Sequence, residues 1–275
     1  MPDTISAETQ IFFDTDNKVG LVAVEDDEGY PHITMVSTLG ARNEKEMMFG
    51  QFCEGQSKQF IPKRPKAGFL ILSMEKELWR GRAVWKSKAN TGPEYDKYND
   101  KPLFRYNSYF GINTVHFLDL VDISEISSLD MGAIIRGALL TRLRRGSAKG
   151  HENGALNKVS YDIISGLSTL KFIAAKDDEG FCSIIPIIQA APSGSGRIAF
   201  TLPPYRDEIE KIPPGQKAAV FAMQMDTVSV LTKGTFSGVQ KGIGVFDIEK
   251  VYNPLMPFPC YVYPREELRA VTEFV

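Results

Sequence analysis

The chain has 275 residues, 43% of them hydrophobic and 24% charged, enough for one large folded domain or two small ones. A net charge of −2 and a pI near 6.0 exclude a strong overall pull toward nucleic acid or an anionic membrane surface. No apolar run approaches the roughly 18 residues of a transmembrane helix, and Cys53, Cys182 and Cys260 fall at no metal-ligand spacing.

The opening Met1-Pro2-Asp3-Thr4 has neither the charged nor the apolar region of a secretory signal, so a reduced cytoplasmic setting is expected. With only His32, His116 and His151, a histidine-rich metal site is not expected. A short helix is predicted around residues 5–16, followed by a strand of small and β-branched residues that starts at Lys18. Asp26-Asp27-Glu28-Gly29 then supplies a hairpin turn, with glycine free to take positive φ. A second strand is predicted over 31–39 and a third centred on Met47-Met48-Phe49. Ala67–Ser73 is a short continuous apolar run, the pattern of a buried strand. Leu78–Val84 and Thr114–Val121 complete the first set of strands. Between them, roughly over 86–112, lies a segment rich in aromatics: Tyr95, Tyr98, Phe104, Tyr106, Tyr109 and Phe110. Pro93 suits the first turn of a short helix there, and the segment reads equally as a lid or as a packing surface. Ser127–Gly146 shows Met131, Ile134, Ile135, Ala138 and Leu139 at helical spacing, with Gly146 as the expected C-cap. Arg142, Arg144 and Arg145 then offset the dipole at the end of that helix.

From there the chain repeats itself. Asp177-Asp178-Glu179-Gly180 matches Asp26 to Gly29 at an offset of 151, 177 less 26. The same offset, without gaps, pairs Phe49 with Phe200, Ile61-Pro62 with Ile212-Pro213, and Lys66-Ala67 with Lys217-Ala218. A helix around 154–166 and strands over 182–190, around Ile198-Ala199-Phe200, and at Ala218–Met225, Val228–Gly234 and Gly242–Val251 follow. The late strands match at 128, Asp119-Leu120 on Asp247-Ile248, so the first copy carries the aromatic segment as an insert. Many short strands with glycine turns mean a barrel or sandwich.

Four segments of the first copy, in order, resemble one family. Gly29-Tyr30-Pro31-His32-Ile33-Thr34-Met35-Val36 is similar to its Gly-x-Pro-x-x-(Thr/Arg)-x-Val strand, and Gln56-Ser57-Lys58 lies in the slot of its Ser-(Arg)-Lys phosphate motif. Trp79-Arg80-Gly81-Arg82-Ala83 and Gly92-Pro93-Glu94-Tyr95 resemble its later Gly-x-Ala strand and helix start. The family is the pyridoxamine 5′-phosphate oxidase-like superfamily of FMN-binding split barrels, and the resemblance covers residues 8–124. It implies a mainly β fold with some α: two tandem split β-barrels of Greek-key type, joined by a helical linker. The expected domains are 1–125, with an intact flavin-phosphate motif, a linker over 126–153, and a degenerate second barrel over 154–275.

The resemblance further implies non-covalently bound FMN. Thr34, Met35, Val36 and Ser37 would run along the isoalloxazine edge, Ser57 and Lys58 would hold the phosphate, and Gln51 and Gln56 would also bind the cofactor. A hydroxyl, a compact cation and free backbone N–H groups are what a phosphate requires. Ser57-Lys58 on its own reads as a solvated turn pair, and the phosphate reading comes only with the surrounding pattern. Many oxidases of the family carry Arg where Thr34 stands, and the substrate signature of true pyridoxamine phosphate oxidases is absent. In the second copy Ser57 and Lys58 fall on Glu208 and Ile209, within an acidic stretch that would repel phosphate. The expected activity is that of an oxidoreductase moving hydride or electrons between a small redox substrate or NAD(P)H and the flavin. One chain would form a pseudo-dimer, a homodimer of chains being a further option, with no nucleic-acid or membrane partner. The alternatives are a non-catalytic flavin carrier or sensor and a flavin-free duplicated barrel serving as a binding module. His32 reads as an outward-facing strand residue, His116 as a strand residue satisfied by a backbone partner, and Cys53 as a structural thiol.

Overall fold

A computed structural model of the chain describes residues 2–52, 55–101, 111–148, 152–225, 228–255 and 259–267. Cys53, His151, Phe104, Tyr106, Tyr109 and Phe110 lie outside the described residues. The chain divides into two compact units, Met1–Leu129 with Ala174–Ile184, and Asp130–Ile173 with Ile185–Val275.

The first copy begins with α1 (Ala7–Phe13), whose N-cap Ser6 accepts from the Thr9 N–H. Eight strands follow: β1 (Lys18–Glu25), β2 (Pro31–Met35), β3 (Gly40–Ala41), β4 (Glu46–Gln51), β5 (Lys66–Ser73), β6 (Glu77–Ala89), β7 (Thr114–Ile123) and β8 (Ser127–Ser128). They form one antiparallel sheet of order β2-β1-β5-β6-β7-β4-β3, with β8 on β6. Two short helices interrupt it, α2 (Gln56–Phe60) after β4 and α3 (Pro93–Asn99) between β6 and β7. The core is a contiguous apolar cluster including Val22, Phe49, Phe69, Ile71, Trp79 and Leu118.

The second copy has α5 (Lys158–Ser165), β9 (Leu170–Lys176), β10 (Cys182–Pro186), β11 (Ala191–Pro192), β12 (Arg197–Thr201), α6 (Arg206–Ile209), β13 (Gln216–Met223), β14 (Ser229–Gln240), β15 (Ile243–Asn253) and β16 (Cys260–Tyr263). Its sheet runs β10-β9-β13-β14-β15-β12-β11, the order of the first sheet, with β16 on β15. The mainly β, twice-built barrel architecture expected from the sequence is therefore present.

The duplication holds atom by atom in the turns. Asp26 Oδ1 accepts from the N–H groups of Glu28 and Tyr30, and Asp177 Oδ1 accepts from those of Glu179 and Phe181. Gly29 and Gly180 take φ of 84° and 85°, which a side chain would oppose. Further along, Val36 N–H bonds Gly20 O as Ile187 N–H bonds Lys171 O, and Arg42 N–H bonds Glu46 O as Ser193 N–H bonds Arg197 O. Leu120 N–H to Lys45 O and Ile248 N–H to Gly196 O carry both offsets at once, 151 on one partner and 128 on the other.

Several boundaries differ from the expected ones. β2 and β10 end four residues early, because the chain turns at Val36–Leu39 and at Ile187–Ala190 with i to i+3 bonds. β6 runs on to Ala89, five residues past its expected end and four into the insert, where Ser87, Lys88 and Ala89 still pair with β7. Tyr98 of the insert is buried with Met48, Ile112, Val115 and Phe117, and its hydroxyl donates to Thr38 O at 2.7 Å. That part of the insert is core.

The helix between the copies is α4 (Met131–Arg144), capped by Asp130 and continued by a 3₁₀ turn over Arg145–Ala148. Gly146 is therefore inside the tightened turn rather than the C-cap, which is Arg145. The buried residues of α4 are Ile134, Gly137 and Thr141, so of the apolar series read from spacing Ile134 alone is buried. Gly137 leaves room for the Thr201 hydroxyl, and Thr141 Oγ1 accepts the Thr201 N–H at 3.0 Å. Ile135 and Leu139 face outward, 58% and 59% exposed. Arg142 and Arg145 donate to the carbonyls of Ser165 and Pro192, which lie outside α4, so these bonds are not to the carbonyls at the end of their own helix.

Candidate functional site

The expected site residues fall into two segments of the first copy. Thr34 and Met35 end β2, which is terminal in the sheet order, and Val36 and Ser37 follow it. Val36 N–H points to β1, bonding Gly20 O, so the antiparallel alternation turns the backbone groups of Met35 away from β1, toward the outer side of this terminal strand. Val36 itself is buried and Ser37 exposed.

Gln51 ends β4, and Gln56, Ser57 and Lys58 form the first turn of α2. Gly55 is its N-cap and provides no side-chain capping bond, leaving the first N–H groups of the helix without that partner. Ser57 is buried, Lys58 half-buried, and the Gln56 Oε1 atom is buried with no partner among the described residues. Two contacts tie the segments together. Thr38 Oγ1 both donates to Gly50 O (2.8 Å) and accepts from Gly50 N–H (3.0 Å), locking the end of the β2 turn to β4. His32 meets the Phe60 ring edge-on at 5.5 Å, joining β2 to α2. His32 is thus a buried residue and not the outward-facing one expected, since the apolar Phe60 covers it.

The residue that spacing did not single out is His116. It is 1% exposed, lies opposite Phe49 in the β4–β7 ladder, and stacks on that ring at 4.7 Å and 8°. Its partners are side chains, not the backbone partner expected. Trp85 Nε1 donates to His116 Nδ1 at 3.2 Å, and His116 Nε2 lies 2.7 Å from Gln51 Oε1. Because a donor occupies Nδ1, that nitrogen carries no proton, and the ring is the neutral Nε2–H tautomer. Burial, with the charges of Lys58 and Lys88 adding to it, pushes the imidazole pKa down to about 4. Of the charges acting on the ring, those of Lys58 and Lys88 disfavour its protonation.

The matched corner of the second copy lacks all of this. Position 57 corresponds to Glu208, position 58 to fully buried Ile209, and Gln51 to buried Leu202. Gly244 stands opposite Phe200 where His116 stands opposite Phe49. Among the described residues no group of three or more His, Cys, Asp or Glu is placed to hold a metal ion. No helix is long and apolar enough to cross a membrane among them. Cys182 is buried, its thiol pushed up to about 12 by burial, which makes it unreactive.

The donor set fits a flavin phosphate: one hydroxyl, one ammonium, side-chain amides and helix N–H groups, with a strand that is terminal in the sheet order in the same copy. No family model matches the chain, and no curated protein matches it. Among solved structures it is similar to HupZ of Group A Streptococcus (17% identity over 46% of this chain and 95% of that one, TM-score 0.36). It is similar to an FMN-binding protein of Syntrophomonas wolfei (16%, 45% and 84%, TM-score 0.36). A third is a candidate pyridoxamine 5′-phosphate oxidase of Lactobacillus delbrueckii (15%, 45% and 96%, TM-score 0.35). Each of these is aligned on less than half of this chain. The likeness is one of fold.

Proposed function

We propose that the chain is an FMN-binding flavoprotein, working as an oxidoreductase, with its flavin phosphate at the α2 corner of the first copy. The observation that carries this reading is the contrast between two matched helix starts. Ser57 and Lys58 open one helix, and the charge of Lys58 helps to lower the pKa of His116, while Glu208 and buried Ile209 stand at the counterpart. One flavin per chain is the count this contrast supports.

In this reading Lys58 and the α2 N–H groups neutralise the phosphate, Ser57 supplies a hydroxyl, and the outward backbone groups of Met35 hydrogen-bond the ring edge. Bound FMN would supply hydride or electron transfer at its N5 position, and the protein would orient and tune it. His116 is buried and neutral, so it is no proton donor at this site. That favours chemistry carried by the cofactor, as enzyme or as carrier.

Purified protein that is yellow and releases FMN on denaturation is the expected result. A colourless chain that stays apo in excess FMN rejects the reading. NADH and NADPH oxidation by the reconstituted protein then separates enzyme from carrier, and no turnover with either donor favours the carrier.

A further inference from the structure

Gln51, Trp85 and His116 come from three strands and meet on one face. Gln51 and Phe49 lie two residues apart on β4, so their side chains share a side, and Phe49 is the partner of His116 in the ladder. Trp85 pairs with Leu118, two residues from His116 on β7, and so reaches the same side. The order of donation along this row is forced. The indole N–H can only donate, so His116 Nδ1 accepts. His116 Nε2 then bears the ring proton and must donate to an acceptor. The Gln51 amide therefore turns its oxygen inward and its nitrogen, two donors, outward. No described residue accepts a hydrogen bond from that nitrogen. An ordinary surface glutamine rotates freely and offers either face.

We infer that His116 is a positioning residue that holds Gln51 as a fixed donor, so that the corner selects a ligand group that only accepts hydrogen bonds, a phosphate. The inference rests on the flavin reading for the identity of the phosphate carrier, while the fixed donor itself follows from the three side chains. The second copy agrees with it. Gly244 and Leu202 occupy the positions of His116 and Gln51, and the Phe200 ring lies against the Cα of Gly244, within 2.6 Å of where a Cβ would be. The relay is confined to the copy that keeps Lys58.

The test compares FMN with riboflavin, which has the same ring and no phosphate, by quenching of flavin fluorescence on the full chain. The wild type is expected to prefer FMN. Trp85→Phe keeps an aromatic ring but removes the indole N–H, which frees His116 to adopt the other tautomer and Gln51 to turn over. The preference for FMN is expected to fall about tenfold, the scale of one charge-assisted hydrogen bond, with riboflavin affinity unchanged. His116→Gln, which keeps a donor near the Nε2 position, is expected to retain the preference, and His116→Met to lose it. An unchanged preference in Trp85→Phe and His116→Met overturns the inference while leaving FMN binding in place. Nitrogen NMR of the wild-type imidazole at neutral pH provides a readout independent of any variant's folding. The Nε2–H tautomer supports the assignment; the Nδ1–H tautomer or an imidazolium overturns it. If the wild type binds neither flavin, the flavin reading fails by itself. Inorganic phosphate is then titrated against the labelled chain, and a Gln51 side-chain amide resonance that does not move rejects the fixed donor as well.

Discussion

His116 and Gly244 hold the same rung of two sheets built on one plan, His116 opposite Phe49 and Gly244 opposite Phe200. In one copy the rung carries an imidazole wired to Trp85 and Gln51. In the other the aromatic ring fills the space above a glycine. On the proposed reading one copy keeps a site and the other only its packing, and this rung is one place where the two copies differ.

Lys58→Glu replaces the one ammonium of the proposed phosphate corner with a carboxylate. FMN affinity is expected to fall by about tenfold or more, with riboflavin little affected, since a half-buried charge contributes on the order of 1–3 kcal/mol to an anionic ligand. Equal titration curves for wild type and variant would remove Lys58 from the site.

His116 links stability to acid. Its folded pKa of about 4 lies below its ordinary 6.5, so between those values the unfolded chain binds a proton that the folded chain refuses. The stabilisation is complete above about pH 6.5 and is lost as pH falls toward 4, on the order of 3 kcal/mol in total. Denaturant midpoints of wild type and His116→Phe, measured from pH 7 to 4, should converge as the pH falls. Parallel curves would show that the ring titrates normally.

Lys171 works in the opposite range. It is 1% exposed, its ammonium donates to Gly166 O and Ile188 O, and burial lowers its pKa to about 8. Between about 8 and 10.5 the unfolded chain holds the proton and the folded chain releases it, so stability rises with pH across that window. Relative to Lys171→Met, the wild type is expected to gain on the order of 2–3 kcal/mol between pH 8 and 10. A constant difference between the two proteins would place the ammonium in water.

Gly20 tests the packing of the first sheet. A Cβ at this position would run into the backbone oxygen of Val36, the residue whose N–H bonds Gly20 O. Backbone cannot move aside as a side-chain end can, so Gly20→Ala is expected to cost about 2–4 kcal/mol in denaturant unfolding. A loss under about 0.5 kcal/mol, the range of a neutral surface change, would mean the strands separate there.

The fold was legible wherever its cause is local. An aspartate two and four residues before the N–H groups it accepts, followed by a glycine, specifies the Asp26 and Asp177 turns in the sequence itself. The strand offsets followed because each copy repeats the same turns. The face of α4 was not legible. Helical spacing favours large apolar residues, yet the contact is made through small Gly137 and the hydroxyl of Thr141 against Thr201, leaving Ile135 and Leu139 exposed. The Gln51–His116–Trp85 row was hidden for another reason. Its members are 31 to 65 residues apart in sequence, and only the pairing of β6 and β4 with β7 brings them onto one face. Burial of His32 under Phe60 is likewise a product of where α2 lands, which strand alternation does not encode.

The most direct measurement is the binding stoichiometry of FMN on the full chain, by fluorescence titration to saturation. One FMN per chain, bound about tenfold or more weakly in Lys58→Glu, is the result expected of a site at Ser57 and Lys58 with a counterpart closed by Glu208 and Ile209. Two per chain, or none in excess FMN, would contradict it.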